Sequence, residues 1–193
     1  MNPKQLHFDS DGREKLLSGI TQIAKAVKST LGPRGNTVLI ESQEHTHGIT
    51  VTKDGVTVAK SIFLLDAVEN LAVRIMKEAA DKTATSAGDG TTTAIVLTEA
   101  LVKEGMVEIE DGVNRTEVLK VLQQECEVII KTLAKKGKKV SGSKLKDVAV
   151  ISANNDEKIG KQIAEVYKQV GKDGIVTVEK SKNHETFFES TKG

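Results

Sequence analysis

The sequence has few aromatic residues, no tryptophan and almost no excess of charge of either sign. Aromatic side chains make up 3% of its 193 residues, so we expect an aliphatic core and little material for stacking the bases of single-stranded nucleic acid. The net charge of +1 comes from 28 basic and 27 acidic residues. This balance argues against nucleic acid or an anionic membrane as the main partner.

Cysteine and long apolar runs are also scarce. Cys126 is the single cysteine, which excludes an internal disulfide and a multi-cysteine zinc site and favours a reducing compartment. Its helical spacing from Leu122 and Ile129 predicts that it is a small buried apolar group. No apolar run is long enough to span a bilayer, and the N-terminus lacks the apolar core of a signal peptide. We therefore expect a soluble, cytoplasmic protein.

The spacing of apolar residues predicts a mainly α-helical protein with small β-hairpins, an α+β fold. Apolar side chains recur every three or four residues, as on one face of a helix, in 16–31, 68–79, 94–102 and 119–133. Asp9 to Asp11 and Asp66 are candidates to cap the first two helices. Thr37 to Ile40 and Ile49 to Thr52 are predicted to pair as strands, and Val56 to Val58 to continue extended.

The same spacing predicts which side chains form the apolar faces of the second and third helices. For the second helix these are Val68, Leu71, Ile75, Met76 and Ala79. For the third helix they are Ala94, Leu97, Leu101 and Val102.

The composition of the sequence changes after residue 134. Lys135 to Ser143 is basic, small and glycine-containing, which we interpret as a solvated hinge rather than a phosphate-binding run. A helix through Ile159 and Val170 follows, with caps offered by Asn154 to Asp156. Two strands, Ile175 to Val178 and Thr186 to Ser190, are predicted to form a second hairpin. An end directly after a strand is what we expect of a truncated chain.

One motif combines glycines, an acidic residue and hydroxyls at a predicted helix start. It runs Gly88, Asp89, Gly90, Thr91, Thr92, Thr93, Ala94. Glycines let the backbone approach a ligand, and the first helical turn offers N–H donors and a positive dipole end to an anion. Asp89 fits such a site if Mg²⁺ accompanies the anion. The alternative is an ordinary helix cap made by Asp89 or Thr91.

Two further loops carry related chemistry. Thr30 to Gly35 lies at a helix end, and Lys53 to Gly55 at a strand end. Together with Gly88 to Thr93 they supply the metal carboxylate, donors and counter-charge that a nucleoside triphosphate requires. The sequence contains no G-x-x-x-x-G-K-[ST] motif, which argues against a P-loop fold. Lys53 to Gly55 also fits an ordinary turn, so that alternative stays open.

Four motifs resemble those of the group I chaperonins, the GroEL type, in order and in spacing. They are Thr30 to Pro33, Thr52 to Gly55, Ala87 to Ala94 and Ile151 to Asn154. The resemblance implies an ATP-driven folding machine of two stacked seven-subunit rings, a homo-oligomer that works with a GroES-type cochaperonin and unfolded client proteins. It also implies that residues 1–135 are the N-terminal half of an equatorial, ATP-binding domain and residues 136–193 the N-terminal half of an intermediate domain.

The resemblance also implies cofactors and the residues that hold them. The cofactors are ATP, Mg²⁺ and K⁺. Asp89 would bind Mg²⁺, the Thr30 and Lys53 carbonyls would hold K⁺, and Asp54 would act as the catalytic residue that orients water near the γ-phosphate. The nucleotide would also be contacted by Leu31, Gly32, Pro33, Gly88, Gly90, Thr91, Thr92 and Thr93.

Parts of the family pattern are missing or altered. The apical domain and the returning halves, with a second catalytic aspartate, are not present before Gly193, so we expect weak or no ATP hydrolysis by this chain. The segment Glu44 to Gly48 is slightly longer than the pattern, and its His45 and His47 are interpreted as a solvent-facing hairpin tip rather than a metal site.

Alternative functions remain open from the sequence. One is a non-cycling chaperonin fragment that acts only as a nucleotide-binding or assembly module. Another is a metabolic kinase. The support for this alternative is weak, because none of the four histidines can be identified as a general base.

Overall fold

A computed structural model describes residues 4–41, 48–110, 112–171, 174–179, 181 and 186–191. The elements in these residues are α1 (Asp9–Lys28), β1 (Val38–Glu41), β2 (Ile49–Thr52), α2 (Gly55–Ser61), α3 (Ala67–Ala87), α4 (Thr91–Glu110), α5 (Arg115–Lys136), α6 (Ser143–Ser152) and α7 (Glu157–Val170). The chain divides into two compact units, Met1–Cys126 and Glu127–Gly193, with the boundary inside α5. No helix in the described residues is long and apolar enough to cross a membrane.

The core of the first unit is aliphatic, as the low aromatic content predicts. It is formed where α1, α2, α3 and α4 pack together. Its buried members are Ile23, Ala24, Val27, Val58, Ala59, Val73, Met76, Ala80 and Ile95. At Gly19 the backbones of α1 and α3 lie in close contact. A Cβ added to Gly19 would overlap the Glu69 carbonyl and lie 2.9 Å from the Glu69 Cα.

The predicted first hairpin is confirmed. β1 and β2 are antiparallel, with Val38 opposite Thr52 and Glu41 opposite Ile49. Alternate residues of each strand are half-buried, which fits a hairpin that covers the core with one face. His45 and His47, interpreted as the hairpin tip, lie outside the described residues.

The extended conformation predicted for Val56 to Val58 is wrong, because these residues lie in α2. The Asp54 carboxylate caps this helix: it accepts hydrogen bonds from the backbone N–H of Val56 (3.4 Å) and Thr57 (2.9 Å). Burial of Val58 and Ala59 in the core stabilises the helix further. Capping and burial together outweigh the strand preference of β-branched residues.

The capping predictions for α1 and α3 have different outcomes. Asp66 caps α3 as predicted, accepting from the N–H groups of Val68 (2.8 Å) and Glu69 (3.1 Å). The α1 prediction is wrong, since Phe8 occupies the cap position and makes no side-chain cap. Asp9 is already helical, and the Asp11 carboxylate instead lies 2.7 Å from His7 Nδ1.

The apolar faces predicted for α3 and α4 are only partly right. In α3, Met76 is buried as predicted, but Leu71 and Ile75 are exposed. In α4, Leu97 and Leu101 are exposed, and the face that packs inward is Thr91, Ile95 and Glu99 instead. Because α4 carries apolar residues on several sides, their spacing alone does not identify the packed face.

α5 begins after Asn114 as predicted, but Cys126 is exposed rather than buried. No described side chain of α5 is buried, although the helix carries the apolar residues Leu119, Ile129 and Leu133. The periodicity therefore predicted the helix correctly, while the burial inferred from it fails because nothing described covers this apolar face.

In the second unit α6 and α7 pack against each other. A Cβ on Gly160 would lie 2.5 Å from the Val150 Cα, so the glycine permits the close approach. Asp156 caps α7 as predicted by accepting from the Ile159 N–H at 3.0 Å, whereas α6 was not predicted. The coil at 137–141 lies within the predicted hinge.

The predicted second hairpin is wrong in the residues that the structure describes. Neither 174–179 nor 186–190 forms a strand. Ile175 and Val178 are both nearly nine-tenths exposed, so these segments bury no apolar face. A two-stranded hairpin without such a face is marginal in water.

Candidate functional site

Three of the predicted motifs meet at Gly55, the first residue of α2. Gly55 is buried, and a Cβ built on it would overlap Thr92 Oγ1 and lie 3.3 Å from Thr30 Oγ1. The loop after α1, the start of α2 and the start of α4 therefore lie against one another at this glycine. Because only glycine leaves room here, the backbone of α2 can approach both hydroxyls.

The loop after α1 is a closed turn that begins with Thr30. The Asn36 N–H donates to the Ser29 carbonyl (2.7 Å) and the Gly35 N–H to the Gly32 carbonyl (2.9 Å). The Thr30 carbonyl lies against Gly35, where a Cβ would overlap it. Gly32 has φ +78°, a backbone conformation that favours glycine. The space around its Cβ position is open. Leu31 and Pro33 are exposed on this loop.

Asp54 is held firmly at the start of α2. Besides the two backbone N–H groups that it caps, its Oδ2 accepts from the Thr57 hydroxyl at 2.6 Å. Its own N–H donates to Thr52 Oγ1 at 3.0 Å. Lys53, just before it, is exposed. The carboxylate is thus fixed in orientation while it remains exposed to solvent.

The third motif is the tight connection between α3 and α4. Gly88 ends α3 in the left-handed conformation, its N–H donating to the Ala84 carbonyl at 2.9 Å. Gly90 also has positive φ, and the Gly90 carbonyl accepts the Ala94 N–H at 2.9 Å as α4 begins. Between these glycines the exposed Asp89 accepts the Gly90 N–H on Oδ1 at 2.6 Å.

The start of α4 has the properties of an anion site. Gly90, the residue before α4, has no side chain that could cap the N–H groups of Thr91, Thr92 and Thr93. These donors lie at the positive end of the helix dipole. Asp89 stands beside them with one carboxylate oxygen not used by Gly90. Carboxylate next to helix N–H donors fits a divalent metal bound together with phosphate oxygens.

Some residues of this site were missed from the sequence. Gly55 was seen as part of a turn, but its closeness to Thr30 and Thr92 depends on packing between distant segments. Thr57 could have been found, since an aspartate cap followed three residues later by a hydroxyl is a local pattern. A groove of about 890 Å³ along α3, lined by residues including Leu71, Lys77 and Ser86, contains none of the predicted site residues.

Comparison with known proteins agrees with this fold. Residues 23–191 match the model of the TCP-1/cpn60 chaperonin family. The chaperonin gp146 of bacteriophage EL 2 (Pseudomonas aeruginosa), crystallised in the presence of ATP-BeFx, is 31% identical, over 83% of this chain and 28% of that one. Its two crystal forms give TM-scores of 0.69 and 0.71. A group III chaperonin in the open state is 25% identical, with a TM-score of 0.67 over 82% of this chain and 32% of that one.

The chain thus spans about a third or less of the length of these structures. Its mostly helical fold with one small two-stranded sheet resembles the chaperonin equatorial domain. The family match covers most of the chain, including all three loops that meet at Gly55, and we conclude that the chain belongs to the TCP-1/cpn60 chaperonin family.

Proposed function

We propose that this chain is the ATP-binding part of a group I, GroEL-type chaperonin subunit, an ATP-driven protein-folding chaperone. The observation that carries the proposal is the meeting of three loops at Gly55, which gathers the hydroxyls of Thr30 and Thr92 next to the start of α4. The family match supports it, as does the crystallisation of the related phage chaperonin in the presence of ATP-BeFx.

The proposed roles follow from the chemistry of each group. Asp89 would hold Mg²⁺ through the oxygen that Gly90 does not use. The N–H and hydroxyl groups of Thr91, Thr92 and Thr93 would donate to phosphate oxygens. When bound, Mg²⁺ neutralises phosphate charge and so favours transfer of the terminal phosphoryl group to water.

Further groups would complete the contacts around the nucleotide. Asp54, oriented by Thr57, would position the attacking water. The carbonyls of Thr30 and Lys53 are the proposed ligands of K⁺. Leu31 to Pro33 and the two glycines Gly88 and Gly90 would line the nucleotide with exposed backbone and open space.

The proposal extends to the whole protein in which this chain takes part. Residues 1–135 would be the equatorial half-domain and residues 136–193 the intermediate half-domain. Assembly into double seven-membered rings, a GroES-type cochaperonin and unfolded client proteins belong to the same proposal. We expect this chain alone to hydrolyse ATP weakly or not at all, and a rate equal to that of an intact ring would contradict this.

Calorimetric titration with Mg-ATP tests the proposed site. The chain should bind Mg-ATP, and Asp89→Ala should reduce the affinity by at least about tenfold, since the metal loses its protein carboxylate. Asp147→Ala is the matched control, because it removes an exposed aspartate from α6 in the other unit and should leave affinity unchanged. Equal affinity of the Asp89 variant and the parent chain would remove the basis of the proposal.

A second candidate function is a non-cycling assembly or interaction module. The exposed apolar residues of α5, such as Leu119, Ile129 and Leu133, favour it, because apolar surface of this kind marks a contact with another segment or chain. The same titration separates the two candidates, because a purely structural module would bind no Mg-ATP with or without Asp89.

A further inference from the structure

Glu99 is a buried acidic residue away from the loops that meet at Gly55. Its relative exposure is 4%, and it lies on α4 on the same packed face as Thr91 and Ile95. It follows Thr91 by two helical turns, a rise of about 12 Å. Burying a carboxylate is costly unless it is paired, so the pairing of Glu99 is its most informative feature.

Two lysines share this carboxylate. Lys103, one turn further along α4, donates to Oε1 at 2.8 Å. Lys28, the last residue of α1, pairs with Oε2. Burial by itself raises the pKa of Glu99, but the hydrogen bonds from Lys103 and Lys28 outweigh it, so the pKa lies below its usual range. Glu99 is therefore charged at neutral pH, and the two lysines compensate its buried negative charge.

The two lysines differ in what they connect. Lys103 and Glu99 are on the same helix, so their contact does not connect α4 to another element. Lys28 joins α4 to the end of α1, and its own carbonyl accepts the Leu31 N–H at 3.1 Å. The pair Lys28–Glu99 thus connects the loop that starts at Thr30 with the helix that starts at Thr91.

We propose that Glu99 and Lys28 are positioning residues for the nucleotide: their ion pair holds the Thr30 to Pro33 loop in register with the Thr91 to Thr93 helix start. Neither residue belongs to the loops themselves, and the inference rests on the proposed function for the nucleotide-binding role of those loops. The pair acts by fixing the spacing of two elements that must contact one ligand.

Two matched variants test this inference. Lys28 and Lys103 have nearly equal side-chain exposure, 44% and 43%, and removal of either leaves Glu99 with one lysine. The loss of charge compensation in Lys28→Met and Lys103→Met is therefore similar, whereas the link between helices is lost only in the first. Urea unfolding of each variant measures the loss of stability that the two substitutions have in common.

The expected result is a difference in Mg-ATP affinity between the two variants. Lys28→Met should weaken binding about tenfold, as loss of an outer supporting contact does at other sites. Lys103→Met should stay within about twofold of the parent chain. Lys28→Arg, which keeps the charge and the donors, should restore binding. Equal losses in the two methionine variants, or no loss in Lys28→Met, would contradict the inference.

Amide hydrogen exchange gives a readout that needs no nucleotide. In Lys28→Met the hydrogen-bonded amides of Leu31, Gly35 and Asn36 should exchange faster than in the parent chain, and in Lys103→Met at the parent rate. If the parent chain binds no Mg-ATP, the proposed function fails, and exchange alone then decides the inference. Unchanged exchange in Lys28→Met would show that the pair does not position the loop.

Discussion

Gly55 is the residue on which the candidate site depends. Its missing side chain lets the start of α2 lie against Thr92 and close to Thr30, two residues from distant parts of the sequence. Asp54, the residue before it, is oriented by the same helix start. A glycine at this point is therefore required by packing rather than by backbone conformation, since its φ is not positive.

Gly55→Ala tests this closeness directly. The added methyl group would overlap Thr92 Oγ1, so the threonine must rotate or the helices must separate. We expect a loss of about 1–3 kcal/mol in the free energy of unfolding, as for overpacked cores. Urea denaturation of the variant and parent chain measures it.

Two further variants make the result specific. Adding Thr92→Ala to Gly55→Ala should recover most of the lost stability, because it removes the overlapping oxygen. Gly105→Ala, in α4 with open space around its Cβ position, should instead be neutral or stabilising. A Gly55→Ala chain as stable as the parent would mean that Thr92 does not lie against α2.

At the scale of single elements, the start of α3 combines a cap with an ion pair. Asp66 caps the helix and accepts from Lys15 of α1 at 2.8 Å. The hydrogen bond from Lys15, followed by those from the backbone N–H groups of Glu69 and Val68, lowers the pKa of Asp66 from 3.8 to about 2. The carboxylate thus joins α1 to α3 in its charged form.

This shift predicts how stability depends on pH. Since the pKa of Asp66 is lower in the folded chain, its contribution is complete above pH 3.8 and is lost as the pH falls toward 2. Asp66→Asn should therefore be less stable than the parent chain at neutral pH, and the difference should close below pH 3.8. Urea midpoints measured across this range check it, with Asp147→Asn as an exposed control. A difference that persists unchanged at pH 2 would assign the effect to something other than this charge.

The sequence predicted several elements correctly from local signals. Asp66 and Asp156 cap α3 and α7 as predicted, and the hairpin of β1 and β2 forms at the predicted strands. It failed where tertiary packing decides. Val58 is helical because it is buried behind the Asp54 cap, and Leu97 is exposed because α4 packs through Ile95.

The features of the candidate site also divide into local ones, which the sequence predicts, and ones that depend on tertiary packing. The glycines and hydroxyls of Gly88 to Thr93 are visible as a motif, because a helix start is a local feature. The closeness of Thr30 to Gly55, and the buried pairing of Glu99 with Lys28, join residues far apart in the sequence. A single sequence contains no signal for such contacts, so only the structure identifies them.

At the scale of the whole molecule, the two compact units have unequal cores. Among its described residues, the first unit buries nine aliphatic or methionine side chains in one cluster. Among the described residues of the second unit, Ala149 and Gly160 are buried and the larger apolar side chains of α6 and α7 remain partly exposed. Because buried apolar area is the main source of stability, the first unit should be the more stable one.

Native-state hydrogen exchange tests this asymmetry on the intact chain. The amides of Ile23 to Val27 and Val73 to Ala80 should be the last to exchange, since they lie in the core of the first unit. Those of α6 and α7 should exchange earlier, through opening that leaves the first unit folded. Simultaneous exchange of all these amides would instead indicate a single cooperative unit.

The most direct test of the proposed nucleotide site is a titration of the isotope-labelled chain with Mg-ATP, followed by amide NMR spectra. In the proposed site, three loops that are distant in sequence and meet at Gly55 bind one nucleotide. We predict that the amides of Leu31, Gly32, Arg34 and Gly35 shift together with those of Lys53 to Gly55 and Gly90 to Thr93, with one shared dissociation constant. Shifts confined to a single loop, or none at saturating Mg-ATP, would contradict it.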